Sequence, residues 1–461
     1  VRNLRIPMHN LSSSKEDGNT PACAARKIAV VGGGWAGCAA GVEAARAGLS
    51  VTLFEAARSL GGRARAVDID GRMLDNGQHI LLGAYTETLR MMRAVGIDPE
   101  QALLRLPLQM RYPHGSGMDF ITPRLPAPLH MLVGLLRATG LATEDKLALA
   151  RFSTTARWMD WRLNTDCSVS ELLDRFDQTE RLIRLMWCPL CIAALNTPPE
   201  RASAQVFLNV LRDSLGARRA ASDMLIPRVD LSSLFPQQAA TFIERHGGTI
   251  RLGAHVRRLR RDEAGWLVET AGAPQAEPQH FDAVIVATPP KQTQALLADF
   301  IDTAMLDAFD YEPITTCYLQ YEPAVTLTQP FFALADDAAS GRWGQFVFDR
   351  GQLDATHAGL LSVVVSASSE AIALGHGALA QSVTAQLAEV FSMPALRTPH
   401  WAKVVTEKRA TFACTPGLTR PSNDIGVDGL YIAGDYTAGD YPATIESAVR
   451  SAVLAARHIV S

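Results

Sequence analysis

The spacing of apolar and polar positions changes several times along the chain. Residues 27–31 (KIAVV) form a run that is apolar after its opening lysine, followed by glycines, a stretch of small residues over 35–46, and a second apolar run at 50–55 (SVTLFE) that closes on an acid. Short apolar runs bounded by turn residues predict buried strands, and the Ala- and Gly-rich stretch between them predicts a tightly packed helix; 27–55 therefore predicts a βαβ unit of about 30 residues. Residues 430–433 (LYIA) predict another buried strand, with a helix of small residues opening near Pro442. Between these ends, 91–216 alternates Leu-, Arg- and Ala-rich helical stretches with proline breaks, 247–288 reads as three strands completing the sheet begun at 27–55, and 291–400 reads as a second β-rich segment with helices. No internal repeat is visible.

Composition narrows the function classes. The chain has 461 residues, 48% of them hydrophobic, and 44 Lys+Arg against 47 Asp+Glu give a net charge of −3. Nucleic acid is not the expected partner, because such binding needs a concentrated positive face. The tight cluster Arg257, Arg258, Arg260 and Arg261 falls in a predicted hairpin, where it is a solvated strand face or a binding patch. Seven scattered cysteines in a chain large enough to build a core predict a reduced, cytoplasmic compartment. The opening residues 1–26 are polar, lack the apolar stretch of a secretion signal and are expected to form a disordered tail. The greasiest segment, 125–142, is broken by Pro126, Pro128, His130, Gly134 and Arg137 and falls short of the ~18 continuous apolar residues of a membrane span. Residues 125–137, flanked by Arg124 and Arg151, either dock on a membrane surface or are core.

The βαβ unit carries chemistry. Gly32, Gly34 and Gly37 satisfy G-x-G-x-x-G, and Glu55 ends the second strand. Gly32 permits the tight turn, Gly34 lets the backbone approach a pyrophosphate, Gly37 lets the helix pack on the strand, and the helix start offers free N–H groups to the anion. Glu55 stands where a carboxylate binds ribose hydroxyls, and its charge opposes a 2′-phosphate, which argues against NADP. Gly61-Gly62-Arg63 follows directly and is a second approach to phosphate, pointing to tightly held FAD, or a plain turn between strands. Downstream, the Asp of Gly434-Asp435 is placed to hold a flavin ribityl chain. The helix start at Ala443, Thr444 and Ile445 would aim its positive end at the flavin ring. Glu446 fits ordinary helix-start chemistry.

These strings together resemble the phytoene-desaturase and amine-oxidase superfamily of flavoproteins. DNGQHILLGAY at 75–85 and GDYT…YPATIESAV are similar to plant-type phytoene desaturases. ALNTPPERASAQ (194–205), LIPRVDLSSLFP (225–236) and RATFACTP (409–416) resemble the squalene-associated FAD-dependent desaturases, whose activity is hydroxysqualene dehydroxylation in bacterial hopanoid pathways. The resemblance implies an α/β fold, a Rossmann-type FAD-binding domain (27–90, 217–290 and 401–461) interleaved with a mixed α+β substrate domain (91–216 and 291–400). It implies FAD contacts at Gly32, Gly34, Ala36, Gly37, Glu55, Arg63, Gln78, His79, Val256, Asp435 and Thr444. It also implies a tunnel admitting the long-chain isoprenoid hydroxysqualene, peripheral contact with membrane lipid at the inner face of the cell membrane, and hydride transfer from reduced FAD that yields squalene and water.

An acid should assist the departing hydroxide, and His79, Asp440 and Tyr441 are the candidates. No second dinucleotide motif is present, so the electron donor is external and unidentified. Cys188 and Cys191 have C-x-x-C spacing, but no further ligand pair accompanies them, and packed core thiols are expected rather than a redox or metal site. Trp158 and Trp161 mark a membrane interface or core. The rival readings are an oxidative phytoene-type desaturase and a lipid carrier of the Rab dissociation inhibitor type, which would have no use for a flavin clamp. An amine oxidase is a third, though no aromatic cage is evident in the sequence.

Overall fold

The structure, a computed structural model, describes residues 26–113, 115–271 and 279–460; the expected tail lies outside them except for Arg26. A six-stranded sheet runs in the order Thr249–Leu252, Ser50–Glu55, Lys27–Val31, Ala283–Val286, Leu430–Ile432 and Asp424–Val427. The first five strands are parallel and the last is antiparallel. Strand alternation gives the sheet two apolar faces. Ile28 and Val30 join a core with the helices Trp35–Arg46, Pro236–Arg245 and Ile445–Val460, whereas Ala29 and Val31 join the core on the other side.

That other side corrects one expectation. Of the segments in 247–288, only Thr249–Leu252 and Ala283–Val286 enter the parallel sheet; Val256–Asp262, Gly265–Thr270 and Gln279–Phe281 form a separate antiparallel sheet. Its Leu259, Trp266, Val268 and Phe281 are buried, with Phe281 set edge-on to Phe54 at 5.9 Å. The arginine cluster has a solvated-strand character: Arg258, Arg260 and Arg261 pair with Asp299, Glu269 and Asp428.

A five-stranded antiparallel sheet forms the second layer, in the order Phe331–Ala333, Phe346–Asp349, Leu360–Ser366, Tyr311–Gln320 and Trp401–Phe412. Val363 and Val365 pack under the helix His376–Val390, while Val364 turns the other way with Phe331, Phe346 and Phe348. The stretch 91–216 is less purely helical than its pattern suggests, since Leu103–Leu106, Gln109–Arg111 and Asp119–Ile121 are strands. Asn196, in a left-handed conformation (φ 47°), ties this region to the sheet: its amide donates to the Glu312 carbonyl and Thr411 Oγ1 and accepts from Ala367 N–H.

The helix Trp35–Arg46 is buried on nearly every side, which only small residues allow; a Cβ on Gly41 would lie 2.6 Å from Ile243 Cδ1. The fully buried Glu446 accepts from the N–H groups of Glu87 and Thr88, from Thr88 Oγ1 and from Arg450 Nε. It therefore caps the positive end of the neighbouring helix Thr86–Ala94. Replacing it by Ala leaves those donors and Arg450 unpaired, and should lower unfolding free energy by about 3 kcal/mol. A urea midpoint unchanged from wild type would contradict this role.

Candidate functional site

The carboxyl ends of the parallel strands open into a cavity of ≈ 680 Å³ that continues beneath the five-stranded sheet. Ligands of such sheets bind at this edge. At one end the cavity is lined by Gly32, Gly34, Ala36, Glu55, Gly61, Gly62, Arg63, Val256, Asp435 and Thr444. At the other it is lined by apolar side chains that include Leu108, Met110, Leu190, Phe207, Leu211, Met224, Phe331, Phe346 and Phe348.

The glycines play three different parts. Gly32 (φ 105°) makes the turn, and a Cβ there would approach Ala287 O to 2.6 Å; one on Gly37 would lie 1.7 Å from Gly32 O. Gly37 is thus a packing residue beneath the loop and does not line the cavity. Gly34 is the opposite case, because a Cβ there meets only Gly62 Cα at 3.9 Å and otherwise enters open cavity. The second turn closes against the first: Gly61 N–H donates to Gly33 O at 2.8 Å, and Gly34 and Gly61 form a bridge. The Gly61-Gly62-Arg63 segment is a turn between strands that lies directly over the glycine loop at the cavity.

The start of the helix Trp35–Arg46 has no side-chain cap and no acid in its first turn, so its N–H groups are open to an anion. Glu55 is held by Gly33 N–H (2.6 Å to Oε2) and Ala57 N–H (2.7 Å to Oε1), which ties the acid to the glycine loop. Ala254 N–H donates to Glu55 O and brings Val256 alongside. Arg63 and Asp435 pair with each other at 2.6 Å, and Arg63 also donates to Ala410 O. Thr444 caps the C-terminal helix, accepting from Ser447 N–H at 3.1 Å.

Gln78 is buried, its Oε1 accepting from Arg350 and Ser362. His79 lines the cavity with Nδ1 2.8 Å from Gly77 O; a carbonyl only accepts, so Nδ1 carries the proton. Burial pushes its pKa below the usual histidine range, with the Gly77 hydrogen bond opposing. Tyr441 also lines the cavity, donating to Asp213 Oδ2 at 2.6 Å, and its pKa is raised, first by burial. Desolvation opposes the charge on Asp213, but hydrogen bonds from Arg212 and Tyr441 hold it below the usual carboxylate range. Asp440 is different: it is 65% exposed, pairs with Arg212 at 3.3 Å and does not line the cavity.

Sequence reasoning missed Asp213, Arg350 and the aromatic wall. Asp213 has no local signature, being brought to Tyr441 by tertiary packing. The wall did carry a signal in the alternation of Phe346 and Phe348. Phe331 stacks on Phe346 with centroids 5.7 Å apart. The cysteines of C-x-x-C are free thiols at the start of the helix Cys188–Leu195, and no group able to hold a metal occurs among the described residues. No helix among the described residues is long and apolar enough to cross a membrane.

Comparison with known proteins decides the family: residues 35–460 match the model of flavin containing amine oxidoreductases. The chain belongs to that family. It is 28% identical to a hydroxysqualene dehydroxylase of Rhodopseudomonas palustris over 92% of this chain and 96% of that protein. It is 22% identical to a 15-cis-phytoene desaturase of Synechococcus elongatus over 94% and 96% of the two chains. Cyclohexylamine oxidase of Brevibacterium oxydans has the same fold, with a TM-score of 0.65 at 16% identity, covering 95% of this chain and 99% of that one. As a member of this family the protein is an FAD-dependent oxidoreductase, and the residues present fit the cofactor. The double glycine clamp leaves a Cβ-sized opening at Gly34, an uncapped helix start faces it, and an acid stands at the end of the second strand.

The contrast between two glycines is testable. Gly34→Val should fold, as judged by circular dichroism, yet lower FAD affinity by on the order of 100-fold, because the side chain fills the approach to the helix N–H groups. Gly37→Val should fail to fold. Tight FAD binding by a folded Gly34→Val protein would refute the cradle.

Proposed function

We propose that this protein removes the hydroxyl group of hydroxysqualene reductively, giving squalene and water, in the hopanoid branch of isoprenoid metabolism. The observation that carries this reading is the joining of a dinucleotide cradle to an apolar extension in one cavity. The similarity along nearly the whole chain to a protein named hydroxysqualene dehydroxylase supports it. Held in the cradle and reduced by an external donor, FAD would supply the hydride that replaces the hydroxyl.

The cradle residues in this reading are Gly32, Gly34, Ala36, Glu55, Arg63, Gln78, His79, Val256, Asp435 and Thr444, with Gly37 supporting the loop. The chain's other residues bind the hydrocarbon, exclude water and handle the leaving oxygen. The phenylalanine wall keeps the site dry, which strengthens each polar contact within it. The departing oxygen carries off the C–O bonding pair and must gain a proton to leave as water. Tyr441 is the favoured candidate, since it is neutral and lines the cavity; its single hydroxyl proton is given to Asp213, so donation to the leaving oxygen requires that proton to turn from Asp213 into the cavity. His79 is the second, though its free nitrogen is basic and would accept rather than donate. Asp440 is set aside because it is exposed and ion-paired. An oxidative desaturase would use the same cradle, with electrons moving the other way.

Access from lipid fits a neighbouring surface. The helix Leu129–Arg137 exposes Leu129, Leu132 and Leu136 (50%, 51% and 65%), and the next helix, Thr143–Trp158, exposes Leu147 and Trp158 (59% and 86%). Arg124, Arg137, Arg151 and Arg157 are exposed among them. An apolar face rimmed by arginines suits the interface of an anionic membrane. Trp161, by contrast, is buried. This face joins the cavity wall: the helix packs on Asp119–Ile121, which pairs with the wall strand Gln109–Arg111. On this basis the protein is peripheral to the cytoplasmic face of the membrane.

Two experiments test these readings. The flavoprotein is reduced anaerobically, hydroxysqualene is added in detergent, and the return of yellow flavin absorbance is followed beside squalene formation. One squalene per flavin reoxidised is expected; no reoxidation, with phytoene bleaching the oxidised enzyme, would transfer the assignment to the desaturases. In liposome flotation, Leu132→Glu should reduce the bound fraction several-fold while FAD content stays at the wild-type level, as each buried leucine contributes about 1.5–3 kcal/mol. Unchanged flotation of the folded variant would end the docking reading.

A further inference from the structure

Buried polar side chains nearly always have hydrogen-bond partners, so one that faces a cavity without any marks a place where a ligand supplies the missing group. In the apolar part of this cavity the rule points to Ser366, whose hydroxyl has no hydrogen-bond partner among the described residues, and to Gln109, the more deeply buried of the two. Ser214 and Ser222 donate to carbonyls of their own helices, and Tyr441 donates to Asp213. Gln109 lines the same space, is 4% exposed, and its side-chain amide has no hydrogen-bond partner among the described residues. Its sequence neighbours, Leu108 and Met110, also line the cavity and are apolar. Its backbone is fixed by pairing with Ile121, so the amide is carried on a rigid ladder rather than a loop.

We infer that Gln109 recognises the hydroxyl group of the substrate and makes the cavity selective for a long-chain isoprenoid alcohol over the corresponding hydrocarbon. The inference deepens the proposed function and rests on it. The chemistry suits the role. A carboxamide both donates and accepts, so it can satisfy both the oxygen and the proton of a hydroxyl, and it is neutral at every relevant pH. A hydrocarbon must leave it unpaired in a dry site, which costs binding; an alcohol repairs that loss. This asymmetry is how polar pockets reject analogues lacking a hydroxyl. A site for hydrocarbons alone would be lined more cheaply by leucine, a residue of similar size already present beside it at Leu108.

The test compares dissociation constants of hydroxysqualene and squalene, read from the perturbation of flavin absorbance in the oxidised holoenzyme, for wild type, Gln109→Leu and Gln109→Met. The wild type is expected to bind the alcohol at least about tenfold more tightly than the hydrocarbon. Both variants should keep wild-type FAD content and lose that preference, chiefly because squalene binds better and hydroxysqualene worse. A preference that survives both substitutions, or is missing from the wild type, overturns the inference. The turnover assay separates the two levels. Wild type converting hydroxysqualene while the variants keep the preference refutes the role of Gln109 alone. Wild type discriminating the alcohol without converting it refutes the dehydroxylase reading and leaves alcohol recognition standing.

Discussion

Three backbone segments must pass within van der Waals contact of one another around Gly32, and most of the molecule is arranged to permit it. The carbonyl of Gly32 lies where a side chain on Gly37 would stand, the carbonyl of Ala287 lies where one on Gly32 would stand, and Gly62 sits over Gly34. Strand ends, helix start and second turn are thereby fixed relative to one another without any side chain between them. A helix running away from such a point must itself be thin, and Trp35–Arg46 is built of Ala, Gly, Cys and Val where it meets its two neighbouring helices. The small-residue helices at both ends of the sequence follow from the same requirement, since they pack on each other beneath the cradle.

Because the chain passes repeatedly between the two layers, they are held together by polar contacts at their seam rather than by a linker. Asn196 joins the helical region to three backbone or side-chain groups of the five-stranded sheet region. Arg63 and Asp435 close the cradle side, and Arg350 reaches across to Gln78. Arg201 pairs with Glu312 at 2.8 Å at another point of the seam. Each of these would be costly to bury alone and is tolerable only when paired, so the layers dock in one register.

The parallel sheet and the glycine loop were legible because each depends on local pattern: an apolar run, a turn, a run of small residues. The cofactor-side residues marked from the sequence consequently line one cavity, with Gly37 beneath it. What failed to show was tertiary. The hairpin at Val256–Asp262 has the alternation of any half-buried strand, and nothing local says that it leaves the parallel sheet to cover it. Trp401–Phe412 follows a proline-containing turn into the five-stranded sheet, by pairing with a strand some ninety positions earlier, although the surrounding sequence reads with the cofactor region. Asp440 and Tyr441 are adjacent in sequence, yet one faces solvent and the other the cavity; the difference comes from Asp213 and Arg212 on a distant helix. Gln109 carries no motif at all and becomes conspicuous only through its burial without a partner.

The cavity has to accept a pyrophosphate and a long hydrocarbon within one continuous space, and it does so by separating field from surface. The charged groups near the junction are paired with each other, Arg63 with Asp435 and Arg212 with Asp213, so that little unbalanced charge projects into the apolar half. The anion is met instead by backbone N–H groups of an uncapped helix, whose partial charge is local and falls off within a turn. The polar groups of the apolar half named here, the Gln109 amide and the Tyr441 hydroxyl, are accordingly neutral. A carbon losing its oxygen in that space would find hydrogen-bonding groups for the leaving atom. The pairing that makes the seam stable is in this sense also what makes the apolar half a workable place for such chemistry.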